Sequence, residues 1–202
     1  MKQMKLDDYN FEIHFTRRFP ASKQEMWEKR LREILNYFPE LRGRTTRKLK
    51  VGIIDQSLIA AGRAKDTDQI WVRMDASVWT VAHEVTHLVQ AVQYEDGVPK
   101  EDRIPFGEKA CDIYTLARSR DLLDQPPHYL KLPFHVRFSS WPNWAGICHR
   151  VAKEAVERRR SGLRNYIKWF ETRIDNISTD LELENTYRGY VLKGIPLEEM
   201  FG

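Results

Sequence analysis

Val81-Ala82-His83-Glu84-Val85-Thr86-His87-Leu88-Val89-Gln90 carries two histidines at positions i and i+4. On a helix that spacing puts both imidazoles on one face, within reach of a single metal ion. Glu84 neighbours His83, too close to be an easy third ligand but well placed to take a proton from a metal-bound water. Trp79, Val81, Ala82, Val85, Leu88, Val89, Ala91 and Val92 make the segment mostly apolar, so the histidines enter a packed interior. Ser77 is the expected N-cap of a helix over about residues 78–94, and neither Pro nor Gly interrupts it before Gly97.

Upstream, Phe11-Glu12-Ile13-His14-Phe15 alternates and predicts a short strand with His14 on its polar side. Ser22 with Glu25 three positions later has the form of a capping box, and Met26, Trp27, Leu31, Ile34 and Leu35 recur at helical spacing to about Phe38. Residues 49–55 and 58–64 predict two strands joined at Gln56-Ser57. Asp66-Thr67-Asp68 predicts a turn before a strand at 69–75, where Ile70, Val72 and Met74 share a face. That strand is expected nearest the motif helix. As an exposed edge it would let an extended peptide pair along it across the metal; as an interior strand it would not.

A catalytic zinc has three protein ligands and one open position, so two histidines leave one ligand to find. The longer pattern H-E-x-x-H-x-x-G-x-x-H would need Gly and His where Gln90 and Gln93 stand. Glu108 lies twenty-one positions after His87, far enough for a loop to return a second helix, and is a candidate. Asp112 is one turn further along the same face. A carboxylate there can accept the free ring N–H of a ligating histidine, His83, and fix its tautomer. Two acidic residues opening a helix also suit the helix dipole without any ligand role.

H-E-V-T-H at 83–87 followed by E-K-A-C-D at 108–112 resembles the gluzincin metallopeptidases. The short chain, with a small sheet before the motif helix, is most similar to the compact minigluzincins. The resemblance covers roughly residues 48–118. It implies one zinc ion held by His83, His87 and Glu108, with Glu84 as base and acid and Asp112 as the carboxylate that orients a ligand. It also implies a peptide or protein substrate. No motif identifies the group that stabilises an oxyanion; Tyr114, His128, Tyr129, His135 and His149 are candidates by residue type.

Pro126, Pro127, Pro133 and Pro142, interleaved with Tyr129, Phe134, Phe138, Trp141 and Trp144, predict a structured loop with a short strand at 134–138. Beyond it a helical pattern runs from Ala145 to about Ile177, interrupted near Ser161-Gly162. Arg150, Lys153, Arg158, Arg159, Arg160, Arg164, Lys168 and Arg173 outnumber Glu154, Glu157 and Glu171 there. Nucleic acid or an acidic protein can contact such a surface, although a solvated helix face is its commoner cause. The stretch from Ser178 onward is more acidic and is expected to be loosely structured.

At 202 residues, 42% hydrophobic and 31% charged, the chain is long enough for a real core and too apolar to be disordered. A net charge of +4 permits an anionic partner without demanding one. Cys111 and Cys148 lack C-x-x-C spacing and read as two buried thiols of a reducing compartment. With no apolar leader-like run and no membrane-length apolar segment, a cytoplasmic protein without a membrane partner is expected. The expected architecture is a single α+β domain. A small, mostly antiparallel sheet packs on the motif helix within residues 1–125, and a largely helical part spans 126–202. The expected activity is that of a zinc endopeptidase. Its alternatives are a nucleic-acid-associated protease of the SprT-like kind, against which the absence of a zinc ribbon counts, and a non-catalytic zinc-stabilised interaction domain.

Overall fold

The computed structural model describes residues 11–41, 47–55, 61–139 and 141–192. Strands β1 (Phe11–Phe15), β2 (Arg47–Ile53), β3 (Gly62–Lys65) and β4 (Gln69–Val72) form one sheet in the order β1-β2-β4-β3. The α+β class holds, but the sheet is mixed rather than mostly antiparallel. β1 pairs parallel with β2, β2 pairs parallel with β4, and the β3–β4 hairpin is antiparallel. Helix α1 (Ala21–Leu35) is the reason for the first parallel pair. Parallel neighbours need a crossover of about a dozen residues or more, and α1 supplies it. Alternation of apolar residues is the same for both pairing senses, so it carried no information on this point.

The hairpin between β3 and β4 turns through Asp66-Thr67-Asp68, with Asp66 at a φ of 55°. The expected Gln56-Ser57 turn and the first half of the expected strand at 58–64 lie outside the described residues. β4 is therefore the interior strand, with Ile70 and Val72 fully buried. β3 is the edge, and it makes the main contact of the sheet with the motif helix. The strand expected beside that helix was thus one hairpin arm too late. Within the sheet, Gly52 stands opposite Trp71, and a Cβ on it would come within 2.3 Å of the indole ring.

The capping box does not form. The chain enters α1 from Pro20, whose φ of −59° suits the first turn, and no side chain caps the helix. Ser22 and Glu25 are already inside it. Trp27, Leu31, Ile34 and Leu35 of α1 meet Leu49, Val51, Ile70 and Val72 of the sheet and Trp79, Ala82, Val85 and Val89 of the motif helix in one core. That motif helix, α2 (Val78–Glu95), is buried on most of its surface.

Helices α3 (Glu108–Arg118), α4 (Trp141–Arg160) and α5 (Tyr166–Leu192) complete the fold, with α4 packed on α3 and α5 on α4. The break before α5 falls at Gly162, whose φ of +100° suits glycine. Two expectations fail in this part. Residues 134–138 are not a strand: His135–Ser139 is one π-helical turn, entered through an α-type bond in which Arg137 N–H donates to Pro133 O at 3.1 Å. The aromatic alternation that suggested a strand comes from Phe134 and Phe138, exposed rings tilted against each other with centroids 4.8 Å apart. Nor are residues 178–192 loose, because α5 continues to Leu192, with Phe170, Ile174 and Ser178 buried along one face; residues 193–202 of that expectation lie outside the described residues.

Two arginines of the basic stretch tie the fold together. Arg159 donates to Lys100 O and Glu101 O and to the Tyr114 hydroxyl, while Arg158 pairs with Glu154 and covers the Trp169 ring. Among the described residues no helix is long and apolar enough to cross a membrane.

The Gly52–Trp71 contact sets a test. A methyl at Gly52 would normally favour a strand, but here it drives into an aromatic ring, so Gly52→Ala is expected to destabilise the protein by about 1 to 3 kcal/mol in urea unfolding. The loss should shrink when Trp71 is replaced by Val.

Candidate metal centre

The first turn of α2 is fixed by two side chains. Ser77 caps it, accepting from Thr80 N–H at 3.0 Å, and Asp124 accepts from Val78 N–H and Trp79 N–H, each at 2.8 Å. With its first amides held, the helix presents His83 and His87 one turn apart, ring centroids 4.9 Å from each other. His83 is buried and His87 partly buried.

The second helix meets them as the sequence suggested. Glu108 is the first residue of α3, and its Oε2 lies 3.0 Å from His83 Nε2 and 3.2 Å from His87 Nε2. Asp112, fully buried one turn later, puts Oδ1 at 2.9 Å from His83 Nδ1. Neither atom has a hydrogen-bond partner elsewhere among the described residues, so each faces only the other. A carboxylate oxygen facing the ring nitrogen keeps the proton on Nδ1. The other Asp112 oxygen, Oδ2, accepts from Tyr129 N–H at 2.8 Å and Leu130 N–H at 3.3 Å.

Gln90 does for His87 what Asp112 does for His83. Its Nε2 donates to Pro105 O at 2.6 Å, which fixes the amide orientation, because a carbonyl can only accept. Its Oε1 therefore faces His87 Nδ1, at 2.6 Å, and His87 Nδ1–H donates to it. Both imidazoles are thus held with a proton on Nδ1 and with Nε2 turned toward Glu108. Both Nε2 atoms converge on the same Glu108 oxygen, where protonated imidazoles donate to the carboxylate and where a metal ion would take the protons' place.

Without a metal the cluster is balanced by protons, which a bound cation would have to displace. Burial opposes charge on His83, but the Asp112 carboxylate and the Cys111 sulfur outweigh it, and the imidazole is pushed up to about 12. His87 is likewise pushed up, to about 9, against its burial. Glu108 is held below the ordinary glutamate range by the two histidines, although burial works the other way. Ligand atoms about 2.1 Å from a tetrahedral ion stand about 3.4 Å apart, so the observed 3.0 and 3.2 Å separations fit a small divalent metal.

Cys111 belongs to the same cluster. One ligand atom from each of His83, His87 and Cys111 lies within 4.8 Å of the others, close enough to hold a metal ion. Both cysteines are free and buried, as the sequence indicated, but the nearness of Cys111 to the histidines was not read from it. The Cys111 thiol donates to His83 O at 3.1 Å, so its proton is engaged with the backbone of α2.

Glu84 faces the opposite wall. Its Oε2 accepts from Ala64 N–H of β3 at 2.6 Å, and burial raises its pKa above the ordinary value, partly offset by the two histidines. Gly62 makes the space: a Cβ there would come within 2.6 Å of Glu84 Cγ. Neither Gly62 nor Gln90 was singled out as a site residue by its sequence context. For Gln90 a signal existed, a polar side chain three positions after His87 on an apolar helix.

Of the five candidate oxyanion donors the structure brings two to the centre. The Tyr129 ring stacks on His83 with centroids 5.6 Å apart, and His128 precedes it on the loop held by Asp112. Burial lowers the pKa of His128, and His83 adds to the effect against the pull of Asp112. Tyr114 is instead engaged by Arg159, with its hydroxyl accepting at 2.8 Å. His149 Nδ1–H donates to Leu116 O at 2.7 Å, and His135 packs against Trp144 with centroids 6.0 Å apart.

Elemental analysis of proteins purified without added metal tests the centre. The wild type is expected to carry about one ion per chain, His87→Ala and Glu108→Ala less than about a tenth of that, and Cys111→Ser the full amount. Asp112→Asn should weaken metal affinity about 10- to 100-fold. Compared with known proteins, no family model, curated protein or solved structure matches the chain.

Proposed function

We propose that the chain is a zinc-dependent peptidase of the gluzincin kind, with His83, His87 and Glu108 as the metal's ligands. The observation that carries this reading is the meeting of three lone-pair donors beside a buried glutamate that is not one of them. Bound there, zinc supplies a Lewis acid and an acidified water. His–His–Glu is the donor set of hydrolytic zinc sites, and it leaves a coordination position open.

The chain's own residues supply the rest. Glu84, raised by burial and steadied by the Ala64 amide, takes a proton from the attacking water and passes it to the leaving nitrogen. Asp112 and Gln90 hold both imidazoles in the tautomer that keeps Nε2 free. Tyr129, half-exposed above His83, is the preferred hydroxyl donor to the oxyanion. Because β3 is the sheet edge beside α2, an extended peptide running along it would pass Glu84.

Hydrolysis of unlabelled peptides, followed by mass spectrometry, tests the proposal. Glu84→Gln should keep its metal and lose about 10²- to 10⁴-fold in turnover. If instead it keeps its biological activity intact, the centre is a structural zinc site in an interaction domain. Tyr129→Phe should lower kcat by about 10²-fold with little change in KM. Gly62→Ala should also lower kcat with the metal retained, because the added methyl displaces Glu84.

A further inference from the structure

Next to Glu108 the surface opens into a groove of about 450 Å³, walled by Phe106, Tyr129, Tyr166 and Ile167. Phe106 and Tyr129 are among the most exposed large hydrophobic side chains described, at 62% and 49%. Glu108, whose Oε2 faces the histidines, and Tyr129, whose ring lies on His83, both line it, so the groove borders the candidate metal centre. It has its own neighbour. A second hollow of about 730 Å³ shares Lys109 and Ile167 with it and continues past Lys131, Arg164 and Lys168.

The two halves differ in character. The hollow farther from Glu108 is lined by four cations, Lys109, Lys131, Arg164 and Lys168, against Glu171 and Asp175. Lys109 and Glu171 neutralise each other at 2.6 Å, and Glu171 also accepts from Lys131 N–H at 2.9 Å. That leaves three exposed cations against one exposed carboxylate, Asp175. A bound chain leaving the metal centre on this side meets an apolar wall first and a positive one next.

We infer that this double groove selects peptides with a large apolar side chain beside the scissile bond and acidic side chains a few residues farther along on the same side. This rests on the peptidase reading, since the metal centre sets where the chain is cut. Water's oxygen bonds to the acyl carbon, the C–N bond breaks and the amine leaves with a proton, so no other reactant is required. The aromatic wall removes apolar surface of the substrate from water, and the cations attract the acidic residues in a salt-dependent way.

Two measurements on the zinc-loaded full chain separate the inference from the reading beneath it. In the first, an undirected peptide library is digested and the cleavage sites are read by mass spectrometry. Phe, Leu, Met or Tyr is expected at one position flanking the cut, with Asp or Glu enriched beyond it. Phe106→Ala should weaken the apolar preference, and the pair Arg164→Glu with Lys168→Glu should turn the acidic preference to a basic one. Cleavage with no acidic preference, or a profile that ignores the charge reversal, overturns the inference while leaving the peptidase standing.

In the second, Glu84→Gln protein is titrated with a fluorescent peptide of alternating Phe and Glu and with its Phe and Lys counterpart. The acidic peptide should bind about tenfold tighter at low salt, and the charge-reversed protein should invert the order. If no peptide in the library is cut but this preference is found, the peptidase reading fails and the groove remains a binding site for acidic, apolar peptides. Equal binding of the two peptides, or tighter binding of a single-stranded DNA oligomer that displaces both, overturns it.

Discussion

The centre depends on one buried carboxylate. Asp112 lies wholly out of solvent, and a charge there costs several kcal/mol unless it is matched. It is matched from two directions, by His83 Nδ1 on one oxygen and by the amides of Tyr129 and Leu130 on the other. The same group therefore sets the tautomer of a candidate ligand and pins the loop that lays Tyr129 over it. Replacing Asp112 by an apolar residue would free the ring, the loop and the groove wall together, since each leans on this side chain.

Gln90 forms a smaller copy of the arrangement, tying His87 to the carbonyl of Pro105 just ahead of Phe106 and Glu108. Both histidines are thus oriented by groups that also anchor a flanking loop. Glu84 follows the same logic, held by Ala64 and given room by Gly62 on the edge strand. The candidate metal centre sits where three elements, β3, α2 and α3, are each tied to the next by a polar side chain. Thr86 and Thr115, hydroxyls 2.7 Å apart, make a fourth tie behind the histidines.

What could be read in advance followed spacing within single elements. The i, i+4 histidines, the Ser77 cap and the position of Glu108 and Asp112 on a second helix are local patterns, and each lies where the sequence placed it. The misreadings concern relations between elements. Parallel pairing of β1 with β2 is set by a crossover, and the edge position of β3 by the order of strands, neither of which alternation encodes. Ser22 and Glu25 matched a capping box that the chain bypassed by starting α1 at Ala21, directly after Pro20. Gly62 and Cys111 were silent because their meaning lies in contacts with residues 22 and 28 positions away: Gly62 beside Glu84, Cys111 beneath His83.

The cap on α2 also orders events in time. The carboxylate that holds its first amides comes from Asp124, 46 positions after Val78, and the loop held by Asp112 follows at Tyr129. During synthesis α2 leaves the ribosome well before either of them, so its two histidines first appear without the groups that aim them. Long-range closure of this sort is slow relative to helix formation. The nascent chain therefore presents its two histidines unaimed until α3 and its following loop have docked, and an ion bound by this cluster would enter only once the fold is complete.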